Sequence, residues 1–236
     1  MALTKRYVWP DADTTGTGDG TTNSGTGANA AFTWAQMIAD LNTPRVGYKY
    51  LVKTGTYANA TTSTTITGDG STTSPNVIEG FNTTEGDLYA QGRTTAGVLD
   101  TTNFPAISYT GTSARFAGSG ANYLTLRCIT ITSEASNPSL QLGSGAAAKQ
   151  CVVTNTGTNA ASYAISFSAS DVTIVNCDTE TASTGATAAI NITGNNWFVD
   201  GCRVKCVPGT GIKVVAAGVL KNNTVFECTT GIAVDS

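Results

Sequence analysis

SYAISFSAS (162–170) places Ile165 and Phe167 two residues apart among small polar neighbours, and the same device returns along the chain. Leu140 and Leu142 stand 25 residues before it, Ile190 and Ile192 stand 25 after, Ile212 and Val214 another 22 on, and Ile232 and Val234 another 20. Between these pairs runs a second series, Cys128, Cys151, Cys177 and Cys202, spaced 23, 26 and 25. Residues two apart share one face of a strand. Short alternating segments separated by Gly, Asn, Ser and Thr, and recurring every 20–26 residues, define a solenoid whose coils stack on one another.

Stacking the coils gives columns. CDTET (177–181) aligns with CRVKC (202–206) at an offset of 25, and that with TVFEC (224–228) at 22. The inward columns are then Cys177/Cys202/Thr224, Thr179/Val204/Phe226 and Thr181/Cys206/Cys228. The outward columns are Asp178/Arg203/Val225 and Glu180/Lys205/Glu227. Opposite charges on neighbouring strands make ordinary cross-strand pairs, so Asp178, Arg203, Glu180, Lys205 and Glu227 are expected to form an exposed structural ladder. The cysteines Cys128, Cys151, Cys177, Cys202, Cys206 and Cys228 are expected to stack inward as free thiols. A disulfide between Cys206 and Cys228, or Cys177 and Cys202, is open to neighbouring coils, but the chain shows no secretory signal that would place it in an oxidising compartment. The alternation fails in YLTLRCITIT (123–132), where an inward Cys128 turns Ile129 and Ile131 outward. Either a bulge shifts the strand or these isoleucines cover something.

Further out, AFTWAQMIADL (31–41) carries an apolar stripe at helical spacing, with Thr33 as N-cap and Pro44 ending it. A strand and a turn are expected over 48–57, and further strands around Ile66 and around Val77–Ile78. Residues 82–104 do not fit the coil period and are read as a long loop on an early coil. Residues 1–30 read as a Gly/Thr-rich arm preceding a β-helix domain of residues 31–236. In it Asp11, Asp13 and Asp19 resemble part of a calcium loop, but Thr22 stands where the bidentate Glu belongs, and a polar loop is the plainer reading.

The chain of 236 residues has no histidine, which excludes a His base, a His metal ligand and Ser–His or Cys–His nucleophile systems. The cysteines lack zinc-site spacing. Charged residues make up 12% and the net charge is −3, so neither nucleic acid nor an anionic membrane is an expected partner. Two isolated Thr-x-Thr pairs, in STTIT (63–67) and ITIT (129–132), are no ice-binding array.

GYKYLVKTGTY (47–57), ITGDGSTTSPNVIEGF (66–81), FPAISYTG (104–111) and ANYLTLRCITIT (121–132), following a short helix, resemble the opening of the right-handed parallel β-helices of the pectin lyase-like group. The resemblance covers about residues 30–236. It implies an all-β, single-stranded right-handed parallel β-helix capped by an N-terminal helix, and is nearly silent on activity. Hydrolases of the group use an Asp cluster with a Gly-His-Gly phrase, which this chain lacks. A calcium-dependent polysaccharide lyase would require Asp87, Arg93, Asp100 and Arg115 to converge on a groove. The terminal strand GIAVDS (231–236) is not followed by a polar cap, so this end is expected to be covered by another chain. With the absent signal, the low charge and the Thr/Gly/Asn richness, this is similar to phage virion proteins made in the host cytoplasm. The sequence therefore points to a non-enzymatic structural or adhesive virion module, a capsid decoration, head fibre or tail spike. No cofactor is expected. The expected partners are its own copies (a homotrimer), other virion proteins and surface glycans. A lyase or hydrolase, and a bacterial surface adhesin, are the alternatives.

Overall fold

The computed structural model describes residues 2–10, 18–58, 63–111, 115–118, 120–182 and 185–235. Three parallel sheets wind as one right-handed β-helix of about seven turns. The first sheet has eight strands: Thr4–Val8, Tyr48–Lys53, Asn76–Phe81, Leu124–Arg127, Ala147–Lys149, Thr173–Val175, Trp197–Asp200 and Gly218–Lys221. The second has seven: Thr56–Ala58, Ala106–Tyr109, Thr130–Ser133, Val152–Asn155, Asp178–Thr181, Arg203–Cys206 and Thr224–Phe226. The third also has seven: Thr64–Thr65, Phe116–Gly118, Leu140–Leu142, Ile165–Phe167, Ala188–Ile192, Thr210–Val215 and Thr230–Asp235. The chain visits them in that order, and successive coils lie about 4.8 Å apart.

The repeated pairs are the third sheet's inner columns. Phe116, Leu140, Ile165, Ile190, Ile212 and Ile232 stack in register, as do Ile192 and Val214 beside them. Most of these side chains are fully buried, so each apolar residue is covered by its counterparts above and below. The helix Trp34–Leu41 closes the first coil. Thr33 accepts from the Gln36 N–H and the Gln36 side chain accepts from the Thr33 N–H, a reciprocal capping box. Trp34, Met37 and Leu41 form its buried face.

Three expectations need correction. Residues 1–30 are not wholly an arm, because Thr4–Val8 pairs in parallel with Tyr48–Val52 and is the first strand of the first sheet. The strand after Arg203–Cys206 lies one residue out of the expected register: Arg203 stands opposite Thr224, Val204 opposite Val225 and Lys205 opposite Phe226. Val225, not Phe226, therefore continues the inner column.

The third correction resolves the difficulty at 123–132. Cys128 stands at a left-handed corner, φ 52°, between the first and second sheets. The equivalent corners are Gln150 (49°), Asn176 (53°), Gly201 (64°) and Asn222 (52°). One residue in this conformation turns the chain and breaks the alternation, so Leu126, Ile129 and Ile131 all face inward and are fully buried. The inward column is thus Ile129, Cys151, Cys177 and Cys202, tied by Val152 N–H to Ile129 O (3.0 Å), Asp178 N–H to Cys151 O (3.0 Å) and Arg203 N–H to Cys177 O (2.9 Å). Cys128 belongs to the corner, where Leu88 and Phe104 of the long loop cover it.

Candidate functional site

In the second coil the single-residue corner is replaced by the loop 82–104. This loop lies along the corners of the coils that follow and is anchored at each. Asp87 organises its start by accepting from the Asn82 (3.1 Å), Thr83 (2.7 Å) and Thr84 (3.0 Å) amides. Partial burial pushes the Asp87 carboxyl up, but these N–H donors outweigh it and hold the group below the usual carboxylate range. Leu88 and Phe104 pack on Cys128 in the third coil. The Gln150 amide donates to Tyr89 O (3.3 Å) and Gln91 O (3.2 Å) in the fourth. A short antiparallel bridge joins Arg93 to Leu99. From it Arg93 donates to Asp178 (2.5 Å) in the fifth coil and Gly201 O (3.0 Å) in the sixth, while the Leu99 N–H donates to the second Asp178 oxygen (2.9 Å).

Asp178 is therefore no exposed member of a ladder. It stands opposite Arg203 in register, yet it is 7% exposed and its carboxylate serves the loop. Arg203 turns instead onto the Phe226 ring, 4.1 Å from its centroid, a contact made possible by the one-residue shift of the last strand. The second rung does form ion pairs: Lys205 lies 3.1 Å from Glu180 and 3.2 Å from Glu227. Hydrogen bonds to Glu180 and then Glu227 raise the Lys205 pKa above its ordinary value.

Loop and sheet together enclose a cleft of about 150 Å³. Val98, Leu99 and Thr101 form one wall, and Val152, Thr154, Asp178, Glu180, Arg203 and Lys205 form the floor and far wall. The floor continues as a row of short hydroxyl side chains, since Ser108, Thr132 and Thr154 share the column that runs on through Glu180 and Lys205. Apolar, hydroxyl and charged groups thus converge on one open groove. Among the described residues Arg203 has no carboxylate partner, and its guanidinium rests on the Phe226 ring.

The four loop candidates do not converge. Asp87 is spent on its own turn. Asp100 accepts from the Thr102 amide (3.1 Å) and hydroxyl (2.6 Å), which lower its pKa, the hydroxyl most. Arg115 leads into the third sheet and does not line the groove. Arg93 alone reaches the second sheet's outer face. Asp11 and Asp13 lie outside the described residues, and one oxygen of Asp19 accepts from the Thr21 amide and hydroxyl. Among the described residues no group of three or more His, Cys, Asp or Glu could hold a metal ion. The cysteines are free thiols, with Cys228 half-buried and the others buried. No described helix is long and apolar enough to cross a membrane.

Sequence reasoning missed Gln150 and the Arg93–Asp178 contact. The latter joins residues 85 apart, and nothing periodic links a loop to the coil it lies on. The one available signal was the polar Gln150 in a corner series otherwise built of Cys, Asn and Gly.

These features define a right-handed parallel β-helix. Among solved structures the chain is similar to the crystal structure of pectate lyase Pel9A, with a TM-score of 0.52 and 14% sequence identity over 92% of this chain and 53% of that one. At this identity the likeness is one of fold, and the chain spans about half the length of that enzyme. No protein-family model and no curated protein matches the sequence.

Proposed function

We propose that the protein is a structural and adhesive β-helix module that contacts acidic glycans through the groove without cleaving them. The observation that carries this is the Arg203 guanidinium, fixed on Phe226, without a carboxylate partner among the described residues, and beside a hydroxyl-lined floor. A bidentate Arg–carboxylate contact suits a uronic acid. Cleavage would need a free base or acid. The Asp178 carboxylate is held by Arg93 and the Leu99 N–H, Glu180 is paired with Lys205, and the raised pKa keeps Lys205 protonated.

The setting we propose is a phage virion surface, supported by the Thr/Gly/Asn-rich composition and low charge. Self-association into a trimer is part of this reading. Light scattering should give a trimer mass independent of concentration, and a monomer at all concentrations would remove the assembly part.

Calorimetric titration with oligogalacturonides and a neutral oligosaccharide of equal length tests the groove. Saturable binding of the acidic ligand alone is expected. Arg203→Gln should weaken it about 10- to 100-fold, the equivalent of a charge-assisted hydrogen bond of about 1.5–3 kcal/mol. Equal binding by wild type and variant would sink the proposal.

A further inference from the structure

On the first sheet's outer face, around a corner from the groove, the register places two like charges on neighbouring rungs: Arg127 stands opposite Lys149. Cations set directly opposite one another destabilise a sheet, and nothing here fully neutralises them. Glu79, opposite Arg127 in register, gives one oxygen to Lys49 at 2.8 Å and the other to Arg127 at 3.4 Å, so one carboxylate serves two cations and does not reach Lys149. Glu85 is occupied by Lys49 and Lys5, at 2.7 and 2.6 Å. The strip thus sets Lys5, Lys49, Arg127 and Lys149 against two carboxylates on a protein of net charge −3. Among the described residues Lys149 has no carboxylate partner, and Arg127 Nε is buried with no hydrogen-bond partner. Burial, and then the charge of Arg127, push the Lys149 pKa down, as an uncompensated cation should behave.

An aromatic ring completes the arrangement. Tyr89 of the long loop is 49% exposed, and the Arg127 guanidinium lies 5.6 Å from its ring centroid. Gln150, the neighbour of Lys149 in sequence, holds the Tyr89 carbonyl at 3.3 Å and so fixes the loop at this corner. A fixed, exposed ring next to paired cations fits a sugar that carries an anionic group: the ring supports the sugar's apolar face and the cations take the anion.

We propose that Arg127, Lys149 and Tyr89 form a second binding site, for the sulfate ester of a saccharide, independent of the Arg203 groove. The sulfate bridges the exposed part of the Arg127 guanidinium and the Lys149 ammonium, and the sugar lies against Tyr89. Sulfate suits the site better than a carboxylate because its oxygens diverge and can face two cations on different strands at once.

The test is titration of the full chain with a monosulfated disaccharide, its unsulfated parent and inorganic sulfate. The sulfated sugar should bind, and the parent should not. Lys149→Gln should weaken binding at least tenfold, Lys149→Arg should retain it, and Tyr89→Ala should weaken the sugar without changing the response to inorganic sulfate. Melting curves establish that each variant is folded, and Lys149→Gln should melt no lower than wild type because it removes a repulsion. Equal binding by wild type and folded Lys149→Gln would overturn the site. Inorganic sulfate binding as tightly as the sulfated sugar would overturn its assignment to a saccharide.

Discussion

Replacing Asp178 by Asn keeps the side chain's shape and removes the charge that fastens the long loop. Asp178 receives Arg93 on one oxygen and the Leu99 N–H on the other. An Asn oxygen still accepts from Leu99, so what is lost is the charge-assisted contact to Arg93. Such a contact contributes about 1.5–3 kcal/mol. The lower end applies here, because Arg93 is 26% exposed and keeps Gly97 O and Gly201 O as acceptors. A loss of about 1.5–2 kcal/mol raises the open population of the loop roughly 10- to 30-fold. Native-state hydrogen exchange reads this directly. Protection at Leu99, which donates to Asp178, and at Thr94 and Gly97, which donate to Val98 O and Thr94 O, should fall by that factor. Protection at Val153 and Val204, fully buried in the core, should not change. Unchanged protection over 94–99, or an equal fall in the core, would refute the role given to Asp178.

Three further outcomes follow from particular contacts. A Cβ at Gly68 would collide with the Leu41 carbonyl oxygen at the end of the helix, so Gly68→Ala must displace either the capping helix or the segment packed under it. A loss above about 4 kcal/mol is expected, or roughly 10 °C in melting temperature; Gly92→Ala, which meets nothing within 4 Å, is the control, and similar melting of the two would count against the packing. The Asp87 carboxyl is pushed up by burial but held lower still by the Thr83, Thr84 and Asn82 amides, and hydrogen bonds from Lys49 and then Lys5 lower that of Glu85. Carboxylates depressed in the folded state give stability present above their unfolded pKa near 4 and lost as pH falls through the folded value. Loop signals in NMR spectra should hold from about pH 6 to about pH 4 and loosen only below, while loosening near pH 6 would contradict this. Under denaturant six free thiols should titrate, and in the native protein half-buried Cys228 should react before Cys151, Cys177 and Cys202; fewer than six would mean a disulfide.

The repeat was legible because stacking forces it. Each of Leu140, Ile165, Ile190 and Ile212 sits on its neighbour, so residue type and spacing recur together. The helix was legible from Thr33, its apolar stripe and Pro44, which act locally. The corners were not, because one residue at positive φ breaks strand alternation without marking the sequence: Cys128 and Gln150 adopt it although Asn and Gly are the usual occupants. The same blindness moved Phe226 out of the core column, and with it hid the ring on which Arg203 rests. Opposite charges at matching positions were legible for Glu180 and Lys205. They misled for Asp178, since a loop that crosses the coils can supply a better partner than the adjacent strand.

The central claim is that the groove holds an acidic glycan and leaves it intact. Proton NMR of an oligogalacturonide incubated with the protein tests both halves in one sample. The account predicts broadened oligosaccharide signals that sharpen again with Arg203→Gln, and a spectrum of the sugar that does not change with time. Vinyl protons of an unsaturated product, or new reducing-end signals, would show elimination or hydrolysis and contradict it.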